Sequence, residues 1–257
     1  MAVMTGDMAG VRGRSVVLDR LVERVQSIEA GVSCCGVGRE DHDGLARVST
    51  GWDVFDQLLG GGLCRGRLHE WFGVFGSSTS QVKPWAPPLA VLSHCVERAL
   101  GKGVAIWFGR SVWPYARLLS NRVRRLSLFV DLGNQASLSK GVFVWAVEMA
   151  LRCHSASVVI ADGRGLSMAA SRRLQLAAEE GGGLCLLARS PNEYGVLSAA
   201  STRWRVSWCQ SQEYCPRWRI ELMRMKGCGV GFRSMINTEG CIVEGFCNET
   251  HGLRVVA

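Results

Sequence analysis

The sequence contains no run of eighteen apolar residues free of charge; its longest apolar stretch, 141–151, is interrupted by Glu148. A helix spanning a bilayer needs about twenty such residues, so no segment reads as a membrane span. Residues 1–14 lack the apolar core of about seven residues that a secretory leader requires. The expected location is therefore the cytoplasm. The eleven cysteines include no C-x-x-C pair, and the five histidines make no i, i+4 pair. That excludes the common spacings for a structural or catalytic zinc ion. Cys95, Cys153 and Cys185 lie in apolar runs and read as small hydrophobes. No G-x-S-x-G elbow is present to hold a nucleophilic serine.

What the chain does have is an ordinary globular composition, 47% hydrophobic and 20% charged, with a formal charge of +8. Disorder is excluded on that balance, and the positive charge points toward nucleic acid or an acidic protein. The charge is concentrated. Residues 110–125 carry Arg110, Arg117, Arg122, Arg124 and Arg125 with no acid among them. Residues 201–226 carry six bases against Glu213 and Glu221.

Residues 15–30 place Val17, Leu18, Leu21, Val25 and Ile28 at helical spacing, with Asp19, Arg20, Glu23 and Arg24 mostly opposite. Residues 31–46, rich in Gly, Ser and charge, read as a linker. Domains are expected at 1–46 (helix and linker), 47–226 (core) and 227–257 (tail). Within the core, short apolar runs at 66–72, 103–108, 126–130, 157–161 and 183–188 suit strands buried on both faces. Helical stretches are expected at 51–59, 88–100, 113–120, 136–152 and 168–181. Strand alternating with helix predicts an α/β fold, a doubly wound, mainly parallel sheet with helices on both faces. The glycine triplets at 60–62 and 181–183 fit αL turns and caps at helix-to-strand junctions.

Residues 201–208 and 217–225 alternate large apolar with charged residues, as an antiparallel strand pair with one wet face does. In Arg203-Trp204-Arg205 and Arg217-Trp218-Arg219, alternation puts the tryptophan on one face and both arginines on the other. Buried tryptophans with solvated arginines are the plain expectation. A basic face for DNA or an acidic partner is the sharper one. It makes Arg122, Arg124, Arg125, Arg203, Arg205, Arg217 and Arg219 candidate contacts.

The stretch 49–73, STGWDVFDQLLGGGLCRGRLHEWFG, resembles the lead into the nucleotide loop of RecA-family ATPases. The likeness continues through 113–120 (WPYARLLS) and the strand ending at Asp162, covering roughly residues 47–226. Within that superfamily, 158–189 (VVIADGRGLSMAASRRLQLAAEEGGGLCLLAR) is similar to the ImuA family of bacterial error-prone translesion synthesis. The Trp-Arg strand pair and the Arg-x-Lys-Gly at 224–227 also fit that family. SulA-type cell-division inhibitors share the fold and are the alternative.

A functional nucleotide loop reads G-x-x-x-x-G-K-[ST], its glycines exposing backbone N–H groups and its lysine reaching the terminal phosphates. From Gly73, Ser78 stands where the second glycine belongs and Thr79 where the lysine belongs, leaving Gly73 and Ser80. Lys83 lies ten residues past Gly73 instead of six, and Pro84, Pro87 and Pro88 delay the following helix. Asp162 fits the magnesium-associated aspartate of the family, and also a plain turn aspartate. No carboxylate follows the 103–108 strand, where the resemblance implies a general base. Gly73, Ser80 and Asp162 are expected to be remnants, with no cofactor and no catalytic residue. The resemblance implies a non-catalytic adaptor in the SOS response to DNA damage. Its implied partners are RecA, an ImuB-like inactive polymerase and, through it, an error-prone replicative polymerase. An active RecA-like ATPase and a single-stranded-DNA-binding protein are the alternatives of other classes.

Overall fold

The computed structural model describes residues 46–75, 85–131, 140–209 and 217–226, and the backbone of 241–245 and 253–256. The amphipathic segment 15–30 and its linker lie outside the described residues. In chain order the elements are β1 (Arg47–Val48), α1 (Asp53–Leu58), β2 (Leu63–Cys64), β3 (Leu68–Phe72), β4 (Val74–Phe75) and β5 (Trp85–Ala86). Then come α2 (Leu89–Ala99), β6 (Val104–Phe108), α3 (Asn121–Arg125), β7 (Ser127–Val130), α4 (Lys140–Arg152), β8 (Ala156–Asp162) and α5 (Met168–Gly181). Strands β9 (Leu184–Arg189), β10 (Thr202–Cys209), β11 (Arg217–Met225), β12 (Cys241–Gly245) and β13 (Leu253–Val256) complete them.

Among the described residues, nine strands form one sheet in the order β13-β12-β11-β10-β3-β9-β8-β6-β7. The pairs from β10 to β7 are all parallel. From β10 through β13 the sheet turns antiparallel. The α/β class, the parallel block and the C-terminal antiparallel pair are as the sequence pattern predicts. Strands β12 and β13 carry the sheet on into the segment read as a tail.

Period-two alternation divides the apolar residues between two layers. Trp71, Trp107, Val158, Ile160, Leu184 and Leu186 face one cluster with α1 and α2. Leu68, Ile106, Val159, Ala161, Cys185 and Leu187 face a second cluster with α4 and α5. Both faces of the central strands are thus dry, which is why they read as unbroken apolar runs.

Local chemistry explains the element ends. The Asp56 carboxylate accepts from Ser49 Oγ (2.6 Å), Thr50 Oγ1 (2.7 Å) and Thr50 N (2.7 Å), folding the Ser-Thr-Gly turn onto α1. Gly182 caps α5 in the αL conformation, φ 71°. At Gly62, φ 121°, a Cβ would lie 2.1 Å from the Val48 carbonyl oxygen, so β1 and β2 meet only over glycine.

One expected helix is absent. Residues 113–120 form no α-helix: short 3₁₀ turns occupy Arg110–Val112 and Ala116–Leu118, and the helix that follows is α3. Pro114 disfavours helical backbone at Trp113, which is extended (φ -68°, ψ 123°). Ser120 caps α3 instead, its Oγ accepting from Val123 N at 3.2 Å while Glu97 holds its own N–H at 2.6 Å. Cys153 is exposed, against its reading as a core hydrophobe, because it falls beyond the end of α4. Cys95 and Cys185 are buried as expected, and burial pushes both thiols up, Cys95 to about 12. Among the described residues no helix is long and apolar enough to cross a membrane.

Candidate functional site

In open α/β sheets ligands bind beyond the carboxyl ends of the parallel strands; Asp162 and Ser111 meet there, and Gly73 follows β3 at the same end, two strands away. Gly73 follows β3, its N–H donating to the Arg189 carbonyl at 3.0 Å. The chain does not run straight on into a helix. Val74 and Phe75 pair with Ala86 and Trp85, so the chain folds back on itself before α2 begins. A Cβ at Gly73 would lie 2.0 Å from the Ala86 carbonyl oxygen, which fixes glycine there for packing rather than for a phosphate. Ser78, Thr79, Ser80 and Lys83 lie outside the described residues.

Asp162 is fully buried and already has a cation. Arg164 donates to it from its backbone N (3.1 Å), Nε (3.0 Å to each oxygen) and Nη2 (2.5 Å). Ser111 Oγ adds a bond of 2.5 Å. A carboxylate offers about four lone-pair positions, and these donors occupy them. Hydrogen bonding to Asp162 raises the Arg164 pKa, so the guanidinium is a fixed charge. Its Cζ lies 4.5 Å from the centre of the Trp85 ring, and the Trp85 N–H donates to the Arg189 carbonyl at 3.0 Å. Arg164 is thus the counter-ion of Asp162, at the position where the resemblance places a magnesium-associated aspartate.

Ser111 comes from the turn after β6, where the sequence shows no carboxylate. Gly109 enters that turn at φ 90° and aims Ser111 back at β8. No motif in the sequence singles out Ser111 or Arg164. Arg164 stands two residues after Asp162, a legible signal for a turn in which a carboxylate takes the following guanidinium.

A second polar cluster lies alongside, between β3, β9 and β10. Glu70, fully buried, accepts from Arg203 Nε (2.8 Å) and Ser198 Oγ (2.7 Å) and lies 3.7 Å from Arg189 Nε. Arg189 also approaches Glu193 at 3.1 Å and donates to the Gly163 carbonyl at 2.7 Å. Arg203 is thus no solvated contact residue. It is buried in an ion pair, with its guanidinium 4.8 Å from the Phe72 ring and its Nη atoms on the Tyr194 and Glu193 carbonyls. The cause is register: Arg203 stands directly beside Glu70 on the neighbouring strand.

The other candidate contacts divide. Arg205 is exposed and doubly bonded to Glu221, at 2.6 and 2.7 Å. Arg217 and Arg219 are half-buried on β11. Arg122, Arg124 and Arg125 are exposed on α3, with Arg122 on the Gly101 carbonyl and Arg124 on Asn121 at 2.6 Å. Trp204 is buried and stacks on Trp71 at 4.9 Å, as its reading as core requires. Trp218 is partly buried against the same cluster. The two basic segments do not merge: α3 leads into β7 at one edge of the sheet, while β10 stands five strand spacings away. At about 4.8 Å per spacing that is about 24 Å.

A parallel sheet sandwiched by helices, an antiparallel C-terminal extension and an aspartate at the end of β8 define a RecA-like α/β domain. The chain is similar to Protein ImuA of Caulobacter vibrioides strain NA1000 / CB15N, at 29% identity over 199 residues. That match covers 65% of this chain and 73% of the relative. Protein ImuA of Caulobacter vibrioides strain ATCC 19089 matches with the same identity and coverage. No family model matches the chain.

Proposed function

We propose that this chain is a non-catalytic RecA-like adaptor in an ImuA-type mutagenesis pathway, acting after DNA damage by binding RecA and an ImuB-like polymerase partner. The single observation that carries the non-catalytic part is Asp162, whose oxygens are taken by Arg164 and Ser111. Removing a general base costs about 10²–10⁴ in rate. Here the carboxylate base is missing from the sequence as well, and the loop lysine is replaced by Thr79. The likeness to Protein ImuA supports the pathway.

A steady-state ATPase assay with and without single-stranded DNA tests the first half. Turnover above about 0.01 s⁻¹, against about 10 s⁻¹ for a typical enzyme, that vanishes in Asp162→Asn would overturn it. Purified RecA and ImuB-like protein, each titrated against the full chain, test the second half. Failure to bind either one removes the adaptor role.

A further inference from the structure

Strand β7 (Ser127–Val130) ends the sheet: among the described residues it pairs with β6, and no strand lies beyond it. Edge strands are ordinarily blunted by charge, proline or a bulge. The sequence of β7, SLFV, has neither charge nor proline, and its register against β6 is unbroken. It carries large apolar side chains on both faces, as an interior strand of a parallel sheet does. Leu128 stands level with Ile106 on the α4 side and is 55% exposed. Phe129 stands level with Trp107 on the α2 side and is 41% exposed. The backbone alternates in the same way. The carbonyls of Leu126 and Val130 accept from Ala105 N (2.9 Å) and Gly109 N (3.2 Å), so both point at β6. Alternation then turns the N–H and C=O of Ser127 and Phe129 outward, where they have no backbone partner among the described residues.

The surroundings of this edge specify what can pair with it. Residues 110–125 run beside it on the α2 side, where Leu119 and Val123 are buried and α3 leads through Leu126 into β7. Trp113 meets the Phe129 ring edge-on at 5.6 Å, and its buried Nε1–H has no acceptor among the described residues. Arg110, Arg117, Arg122, Arg124 and Arg125 are all exposed. The one acid between 110 and 131 is Asp131, which Arg110 already holds at 2.6 Å. Five arginines against that aspartate leave the edge with a surplus of four positive charges. A second copy would bring a like surplus to the seam and be repelled.

We infer that the β7 edge binds an extended segment of another protein, alternating acidic and apolar residues, as an added strand. Its backbone closes the ladder at Ser127 and Phe129, its carboxylates face the arginines on the α2 side, and its apolar residues cover Leu128 on the other. The edge takes such a segment whichever protein supplies it, so binding here does not depend on the RecA and ImuB-like partners. Amide exchange of the full chain, followed residue by residue by NMR, reads this with synthetic peptides. A short peptide alternating glutamate and valine, at about 1 mM, saturates a site of micromolar affinity. It should slow the Ser127 and Phe129 amides about tenfold or more, and the slowing should shrink several-fold as salt rises from about 0.05 to 0.5 M. A peptide alternating lysine and valine should leave both amides fast. So should the glutamate peptide with a proline at its centre, which cannot donate to the ladder. Arg124→Glu with Arg125→Glu should weaken the effect of the glutamate peptide several-fold while β8 stays protected. If β8 loses protection in that variant, the salt series and the proline peptide decide. Slow exchange of Ser127 and Phe129 in the chain alone means that the edge is already paired, by the chain itself or by a second copy, and overturns the inference. Indifference to the glutamate peptide overturns it too, and so does equal slowing by the lysine or the proline peptide.

Discussion

Arg203 and Arg205 flank Trp204 on one strand, and their surroundings give their loss different consequences. The Arg203 side chain is 10% exposed and its partner Glu70 is 0% exposed. Removing it takes the nearer of two guanidinium partners from a buried carboxylate, leaving Arg189 at 3.7 Å; breaking a buried pair outright costs about 3–5 kcal/mol, which is the upper bound here. Arg205 and Glu221 form an ion pair at the rim, with the Arg205 side chain 45% exposed. Pairs of that kind contribute about 1 kcal/mol or less, screened by salt. We expect Arg203→Ala to lower the urea midpoint several times more than Arg205→Ala, with the m-value unchanged. Equal shifts would mean that the Glu70 cluster takes in water and does not act as a buried pair. The sequence could not have revealed this, because Arg203 and Glu70 are 133 positions apart and alternation assigns both arginines of the triplet to one face. Alternation fixes which side of the sheet a residue occupies. Whether that side is covered depends on the β9–β10 connection, whose Glu193 and Tyr194 carbonyls close over Arg203.

At the scale of elements, β3, β6, β8 and β9 were legible to within about two residues because burial on both faces writes itself as an apolar run. The hairpin of β4 and β5 was not. Two-residue strands carry no period, and the sequence there shows only a damaged nucleotide loop followed by prolines. The false helix at 113–120 has the same root. Val112 and Leu119 are buried individually by 3₁₀ turns, so apolar spacing is present without an α-helix beneath it. The hairpin depends on Gly73, and that dependence can be measured. Gly73→Ala drives a methyl group into the Ala86 carbonyl, 2.0 Å away, so β4 and β5 must separate. Overpacking of this kind costs about 1–3 kcal/mol. Amide exchange should accelerate at Val74, Phe75, Trp85 and Ala86 and stay slow in β8 and β9. Unchanged exchange at those four residues would show that the glycine is not what lets the hairpin close.

For the whole molecule, the sum of charge was a poor guide and the buried polar groups are a better one. The +8 charge suggested one basic face, yet β10 and α3 lie five strand spacings apart. The five histidines show no metal-ligand spacing in the sequence, and two of them tie folding to pH. His69 is buried, and its Nδ1 meets Thr202 Oγ1 at 2.7 Å. Its Nε2 meets the Cys64 carbonyl at 3.1 Å, and Trp204 Nε1 donates to the same Thr202 oxygen at 2.6 Å. The network assigns the neutral tautomer with Nε2–H donating to Cys64 and Nδ1 accepting from Thr202. Burial lowers the His69 pKa from 6.5 to about 4, opposed by the Cys64 bond and reinforced by Arg67. His94, stacked on Trp52 at 4.7 Å, is lowered as well, again chiefly by burial. Below pH 6.5 the unfolded chain binds protons that the folded chain refuses, so mass action favours unfolding. The stabilisation is therefore complete above about 6.5 and is lost as pH falls toward 4, at up to about 1.4 kcal/mol per unit for each such histidine. Denaturant melts at pH 7.5, 6.5, 5.5 and 5.0 should show a progressive loss that His69→Gln reduces, since glutamine binds no proton in either state. The carboxylates bear on the same slope mainly below about pH 5, where Asp and Glu begin to protonate. A His69→Gln variant whose stability falls as steeply as the parent's between pH 6.5 and 5.5 would show that His69 takes up its proton without unfolding the sheet.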